Sequence, residues 1–251
     1  MMTRSQIQQR VLPILLCAMA ASAHAQSLGE VELESGYVWV GRADVRIPGD
    51  EGTRVSLTSD LDADETAYVR GRLTWHPAPR HAILLTLSPL QAEATGELPR
   101  DTRFVDTDFP AGEHVKATYR FNNYRLTYRY QVWNTERFRA HLGGTLFVRD
   151  AKVSLASATL RDSDSDLGLV PLVHFRLAFH LHPRMALVMD GDALAAPQGR
   201  AIDVLCALQY EVRDALNIGL GYRILEGGAD NDNVYTFALF HHAAATLTWR
   251  F

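Results

Sequence analysis

Residues 243–251 read AAATLTWRF and place an apolar side chain at every second position. Ala243, Ala245, Leu247, Trp249 and Phe251 share one face, and the residues between them fall on the other. Successive side chains of a β-strand point to opposite faces, so a period of two is the spacing of a strand and not of a helix. The stretch therefore predicts a β-strand with one apolar face that carries aromatic residues at its end.

The same alternation runs through most of the chain from residue 30 onwards. In residues 66–76, for example, Val69 and Leu73 lie on one face while Arg70 and Arg72 lie on the other. We count ten such segments; a count of eight or twelve would require one misread hairpin. The predicted strands are residues 30–46, 65–77, 82–97, 114–132, 138–153, 167–181, 185–195, 201–212, 215–226 and 233–251.

The predicted connections differ in length at the two ends of the strands. Residues 78–81, 182–184 and 213–214 are tight turns, whereas the links after the first, third and fifth strands are long and polar. The third of these links contains the acidic stretch 161–166, and we also expect a turn at Gly227-Gly228. Short turns at one end and longer loops at the other are typical of outer-membrane barrels. The sequence predicts an all-β, closed antiparallel transmembrane barrel with an even number of strands.

The first residues have the three-part layout of a secretory signal peptide. Arg4 and Arg10 precede and flank a short apolar stretch, and Ala23-His24-Ala25 is a small-x-small triplet. We predict a signal peptide over residues 1–25, cleavage near Ala25, and one barrel domain over residues 26–251. No later stretch approaches the ~18 apolar residues of a membrane helix. Only Cys206 remains after cleavage, so the mature chain is expected to hold no disulfide.

Composition and motifs point away from several classes of function. The chain carries 25 Lys+Arg and 29 Asp+Glu, a net charge of −4, which makes it a poor candidate for nucleic-acid binding. The acidic stretches 162–166 and 230–233 lack the turn glycine and distal acid of a calcium loop. No motif for a metal, a nucleotide or a catalytic serine is found. We therefore expect no catalytic residue, no cofactor and no metal.

The polar face of the strands carries charges of opposite sign on neighbouring segments. Glu32 and Glu34 would face Arg70 and Arg72, and Arg250 would lie beside Glu32. If the apolar face meets lipid, these charges lie inside and fill a narrow lumen. In a soluble barrel, the apolar face would lie inside and the charges outside. The predicted lumen charge network consists of Glu32, Glu34, Arg70, Arg72, Arg176, Asp190, Asp192, Asp203, Arg223 and Arg250.

Several segments in order resemble a group of small outer-membrane β-barrels of proteobacteria, in the broad OmpA/OmpW-like class. The segments are SDLD at 59–62, WHP at 75–77, FPAG at 109–112, YRLTYRY at 124–130, GLGY at 219–222 and the closing Arg250-Phe251. The resemblance implies the fold and an outer-membrane location, and it supplies no catalytic residues. The alternating Leu247, Trp249 and Phe251 resemble the C-terminal signal that the barrel-assembly machinery reads. Expected partners are outer-membrane lipid, lipopolysaccharide and this machinery, for a monomer.

Two classes of function remain open from the sequence. The first is a barrel with a structural, small-pore or surface-interaction role and a largely filled polar lumen. The alternative is an outer-membrane enzyme, either an omptin-like protease or a lipid A-modifying hydrolase. A protease would use acids with His174, but the omptin motifs are not matched. A hydrolase would use His241 or His242, but no serine lies two residues away on the same face.

Overall fold

The computed structural model describes residues 28–196 and 199–251, and the predicted signal peptide lies outside them. No helix in the described part of the chain is long and apolar enough to cross a membrane. The strands are β1 Gly29–Arg46, β2 Val55–Ser56, β3 Asp62–Ala63, β4 Thr66–Ala78, β5 His81–Ser88, β6 Gln91–Glu97, β7 Thr102–Phe104, β8 Thr107–Phe109, β9 His114–Asn134, β10 Phe138–Ala156, β11 Arg161–His182, β12 Met185–Ala196, β13 Gly199–Arg213, β14 Leu216–Asp230 and β15 Tyr235–Arg250.

The long strands close into one antiparallel barrel. Each pairs with its neighbours in the chain, and β1 pairs with both β15 and β4, so the first and last strands meet. β5 and β6 both lie against β9 and form one barrel strand that is interrupted at Pro89 and Leu90. With this pair counted once, the barrel has ten strands. The prediction of a closed, all-β, ten-stranded barrel is confirmed.

The apolar face of the barrel points outwards. Leu220 is 72% exposed, whereas Arg223 on the same strand is 2% exposed. Outward aromatic side chains include Trp75 and Trp249 near the turn end and Tyr37 nearer the loop end. An outward apolar band with aromatic residues towards its borders suits hydrocarbon on the outside, where only a closed sheet satisfies every backbone group. The direction predicted for the two faces is therefore the one observed.

Two predicted links prove to be strand. The acidic residues 161–166 belong to β11 and pair with residues 151–156 of β10, so the connection is only residues 157–160. Gly227 and Gly228 lie inside β14, paired with both β13 and β15. The acidic residues of β11 lie beyond the outward apolar band, and Gly227 and Gly228 lie in the barrel wall without a side chain on either face. The apolar alternation that marks a membrane strand is therefore lost there, although the ladder continues.

The two remaining long links fold over the loop end of the barrel. We call residues 47–65 and 98–113 the loop cap; it has its own apolar centre with Leu57, Phe104 and Phe109 almost fully buried. The Val105 N–H donates to the Ile47 carbonyl at 2.9 Å, which ties one link to the other. β7 and β8 form a hairpin inside the cap. These links are therefore packed elements of the fold.

Asp162, at the tip of β11, holds the cap to the barrel. Its Oδ2 accepts hydrogen bonds from the Asp106 N–H at 3.0 Å and the Thr107 hydroxyl at 2.9 Å, and its Oδ1 accepts one from the Ser163 N–H at 2.8 Å. Partial burial by itself would raise the pKa of Asp162, but these donors favour the charged form and hold the pKa below its usual range. The contact therefore depends on an ionised carboxylate.

The barrel interior changes character from one end to the other. Polar side chains line the turn end, charged side chains fill the middle, and an apolar cluster fills the loop end beneath the cap. The loop-end cluster includes the inward-facing Val38, Ala117, Tyr119 and Phe240. The polar lumen predicted from the sequence therefore occupies only part of the barrel.

Candidate functional site: the charge layer in the lumen

Acids from three strands meet cations from four strands at mid-height in the barrel. The acids lie on β1, β12 and β13, and the cations lie on β4, β9, β11 and β14. The β12–β13 register places Asp192 directly opposite Asp203. Two neighbouring carboxylates inside a barrel are costly unless cations approach both, so this register requires basic partners from across the lumen.

Asp203 has three arginine partners. Its carboxylate lies 2.9 Å from Arg70, 2.7 Å from Arg125 and 2.5 Å from Arg223. All four side chains are at most 5% exposed. Three guanidinium groups around one carboxylate would leave excess positive charge, so further acids are needed nearby.

Glu34 supplies the next negative charge. Arg223 donates to its two carboxylate oxygens at 2.7 and 2.6 Å, which is the bidentate geometry that favours arginine over lysine. The Tyr68 hydroxyl donates to the same carboxylate at 2.7 Å. Arg70 lies opposite Glu34 in the β1–β4 register, as predicted, but its guanidinium bonds to Asp203. Arg223 therefore joins the acids of β1 and β13.

Asp190 organises a second cluster nearer the turn end. Arg72 donates to it at 3.0 Å and Arg176 at 2.9 Å, and Arg129 lies 3.6 Å away. Arg176 also donates to the Gln209 side-chain carbonyl at 3.2 Å. The contact between Arg72 and Asp190 joins β4 to β12 across the interior.

Asp192 joins the charges to hydroxyl groups and a histidine. It accepts from Arg125 at 2.7 Å and from the Thr145 hydroxyl at 2.6 Å, and it lies 3.0 Å from His174 Nδ1. The hydroxyls of Thr127 and Thr145 lie 2.7 Å apart. Buried polar groups with several partners each are held in one arrangement, because any rearrangement leaves a group unpaired.

Two predicted members lie at the margin of the layer. Glu32 is 3.5 Å from Arg72 and accepts a hydrogen bond from Thr248 at 3.1 Å. The expectation that Arg250 lies beside Glu32 is wrong, because Arg250 lies 3.6 Å from both Glu30 and Glu211. The β1–β15 register explains this difference, since Arg250 is opposite Glu30 and Glu32 is opposite Thr248.

Sequence reasoning missed several members of the layer, chiefly on β9. Arg125 and Arg129 are 2% and 5% exposed and face inwards, between the outward side chains of Tyr124, Leu126 and Tyr128. The alternation in residues 124–130 is the signal that could have found them, once its apolar face is assigned to lipid. The other residues missed were Tyr68, Thr127 and Thr145.

The charge layer divides the interior into two separate spaces. A polar cavity of about 460 Å³ lies on the turn side and an apolar cavity of about 480 Å³ lies on the loop side, and they share no lining residue. Arg125 stacks under the Phe147 ring at 4.8 Å, so this ring closes the loop-side cavity over the charges. Asp192, Asp203 and Arg223 between the two cavities are at most 3% exposed, so within the described ranges no water-filled path runs through the middle of the lumen.

The three histidines that the sequence raised as catalytic candidates do not lie together in one accessible site. His174 and Asp192 form a hydrogen-bonded pair, but they are only 1% and 3% exposed. His242 faces inwards, edge-on to Tyr68, whereas His241 faces outwards and contacts Tyr222 and Trp39. Among residues 28–196 and 199–251, no group of three or more acidic, histidine or cysteine side chains is placed to hold a metal.

Solved structures with the same architecture are membrane barrels. The outer-membrane protease OmpT of Escherichia coli aligns over 93% of this chain and 99% of its own, with a TM-score of 0.56 and 11% sequence identity. The chain has the fold of outer-membrane β-barrels. Weaker similarities are found to Ail of Yersinia pestis (TM-score 0.41, 13% identity, 88% and 99% covered) and OprG of Pseudomonas aeruginosa (0.36, 10%, 91% and 99%).

Comparisons with models of protein families and with curated proteins gave no match. At these sequence identities, the structural comparisons establish the fold alone, so function has to be argued from the chain's own residues.

Proposed function

We propose that this protein is an outer-membrane barrel with a closed lumen, which acts through its outer surface and its loop end and not as a pore. The observation that carries the proposal is the charge layer around Asp203, Asp190 and Asp192. Its side chains pair with one another, several of them across the interior, and the cavities above and below it share no lining residue. A solute would have to separate several buried ion pairs in order to pass.

The same layer argues against an enzyme of the omptin type. A hydrolytic centre needs an acid–histidine pair within reach of both water and a substrate. His174 and Asp192 are enclosed by Arg125 and Thr145, and every oxygen of the carboxylate already has a partner. We propose that this pair has a structural role, and that the protein is not an enzyme.

For the membrane partners, we propose lipopolysaccharide at the loop end. Arg42, Arg54 and Arg200 are exposed there; Arg42 and Arg54 share Asp44, and Arg200 pairs with Glu226. Arg46 and Arg54 also lie over the ring of Tyr235 at 5.3 and 5.6 Å. Guanidinium groups bind phosphate oxygens in a bidentate manner, so these exposed arginines suit the phosphate groups of lipopolysaccharide.

We also propose that the chain is a monomer that enters the membrane through the barrel-assembly machinery after cleavage near Ala25. Leu247, Trp249 and Phe251 are 46%, 40% and 51% exposed on the outer face of the closing strand. They are therefore accessible along the lipid-facing side of β15, where an assembly factor can contact them.

Conductance measurements in planar bilayers test the closed lumen. We expect no steady conductance from the wild type. The double variant Arg125→Ala/Phe147→Ala removes the guanidinium and the ring that separate the two cavities, so it should conduct. Tyr124→Ala removes an outward side chain next to Arg125 and should stay silent. Large, stable openings of the wild type would contradict the proposal.

A second experiment addresses lipopolysaccharide. The double variant Arg42→Gln/Arg54→Gln removes both arginine partners of the nearly buried Asp44, so it should lower the melting temperature in phospholipid alone and should lower it further in bilayers that contain lipopolysaccharide. Equal effects in the two bilayers would mean that these side chains stabilise the fold and do not bind lipopolysaccharide.

A further inference from the structure

The wall of the barrel is incomplete between β11 and β12. β11 pairs with β10 from Arg161 to Phe179, but it pairs with β12 only from Val173 to His182. Among the described residues, no strand pairs with residues 161–172 on the side away from β10. The pairing stops near Pro171, which has no N–H to donate to a ladder.

The break begins at the level of the lipid-facing band. Pro171 is paired with Leu146, which is paired with Leu126, and both leucines are 50% exposed on the outer face. Polar side chains appear outside only further up, where Leu167 is paired with Asp150. The missing pairing between β11 and β12 therefore starts beside hydrocarbon and extends into the polar zone above it.

The apolar cavity of about 480 Å³ lies directly behind this break. Leu169 and Pro171 on one side of the break and Leu194 on the other all line it. Its inner wall includes the buried aromatic rings of Phe147 and Phe240, which are 3% and 1% exposed. A cavity of this size and character is typical of sites for small apolar ligands.

We propose that this cavity receives an acyl chain of a lipid from the adjoining leaflet, which enters sideways through the break between β11 and β12. Leu167 and Leu169 are 74% and 66% exposed on the outer face beside the break and continue the apolar surface up to it. The cavity lining also includes the charged residues Arg149, Lys152, Asp164, Asp166 and Arg200, of which Arg149 pairs with Asp166 and Arg200 with Glu226. The chain ends against Phe147, which shields it from Arg125.

Van der Waals contacts drive this binding. A hydrocarbon group gains free energy from the close contacts of a packed cavity, and a chain from the bilayer does not have to cross water to reach them. The charge layer blocks the cavity from the turn side, so a ligand approaches through the break or from the loop end. The proposal rests on the membrane location argued above, and the experiment separates the two.

Photocrosslinking in bilayers tests the proposal with an internal control on one strand. The full mature protein is reconstituted with a phosphatidylethanolamine that carries a diazirine on its acyl chain, and the labelled residues are identified by mass spectrometry. Leu146 faces the lipid and should be labelled wherever the barrel spans the bilayer. Phe147, its neighbour, faces inwards and is labelled only if an acyl chain enters the cavity.

The expected result is labelling at both positions. In Ala238→Leu, which adds bulk to the cavity wall, labelling should be lost at Phe147 and kept at Leu146. Labelling at Leu146 alone in the wild type would overturn the cavity proposal and leave the membrane location intact, whereas no labelling at Leu146 would overturn the location itself. Labelling of Phe147 by a free diazirine fatty acid in detergent, but not by the phospholipid in bilayers, would also overturn the proposal.

Discussion

Replacing Arg223 by methionine should be strongly destabilising. Its guanidinium contacts Glu34 through two hydrogen bonds at 2.7 and 2.6 Å and Asp203 at 2.5 Å, and the side chain is 2% exposed. Asp203 would keep Arg70 and Arg125, but Glu34 would keep only the Tyr68 hydroxyl. Removing one partner of a buried charge pair typically costs about 3–5 kcal/mol, because the remaining charge is left without compensation.

The stranded carboxylate of Glu34 can be tested directly. If it causes the loss of stability, then Glu34→Gln in the Arg223→Met background should recover a large part of the loss. Arg200→Met provides the matched control, because Arg200 also pairs with a glutamate but its side chain is 45% exposed. An exposed pair contributes about 0–1 kcal/mol, so this variant should be nearly neutral.

Urea unfolding of the reconstituted barrel in vesicles, followed by tryptophan fluorescence, measures these free energies. A loss below about 1 kcal/mol for Arg223→Met would refute the reasoning. It would mean that water reaches Glu34 when the arginine is removed, and that the lumen is solvated and not closed. Failure of Glu34→Gln to recover stability would show that the loss comes from packing and not from charge.

Three further predictions concern other parts of the molecule. Leu220→Arg places a charge on the lipid face and should lower the unfolding free energy by about 2–4 kcal/mol if Leu220 lies near the bilayer midplane. The inward Gln209→Ala should insert normally in a membrane-fractionation assay. Equal effects of the two variants would mean that the faces are misassigned. Phe251→Ala should slow assembly in vivo, measured as the heat-modifiable fraction, while refolding in detergent is unchanged. The pKa of Asp162 is lowered, so its carboxylate holds the loop cap at any pH above the usual carboxyl pKa and releases it as the pH falls through the lowered pKa. Protection of the Asp106 amide from hydrogen exchange should therefore decrease in that pH range. Protection that does not depend on pH would argue against this contact.

The fold could be predicted from sequence because lipid imposes a strict period on every strand. Residues 215–226 alternate without a break, and once the apolar face is assigned to lipid, this pattern places Leu220 on the outer face and Arg223 on the inner face, where both are found. Beyond the lipid-facing band, strands no longer need an apolar side chain at every second position. Residues 161–166 remain in a ladder with β10, but their aspartates and serines carry no apolar signal, and they read as a loop.

The site could be predicted only as far as neighbouring strands determine it. The alignment of Glu34 with Arg70 could be predicted because their strands are adjacent, and the two residues are indeed paired in the β1–β4 register. The actual ion partners depend on how the barrel closes, which sets Arg223 against Glu34 two strands away and Arg125 against Asp203 across the interior. A pattern of alternating residues does not give this curvature. For the same reason, it could not anticipate an apolar cavity behind β11.

The contacts of the charge layer also have a consequence for the order of folding. Arg223 and Glu34 are separated by 189 positions in sequence, Arg70 and Asp203 by 133, and Arg72 and Asp190 by 118. Contacts of such long range can form only when the two ends of the sheet have met. An incomplete sheet that entered the bilayer would carry these arginines and carboxylates unpaired into a region without water. Insertion hairpin by hairpin is therefore disfavoured, and the strands should cross the membrane together as the barrel closes.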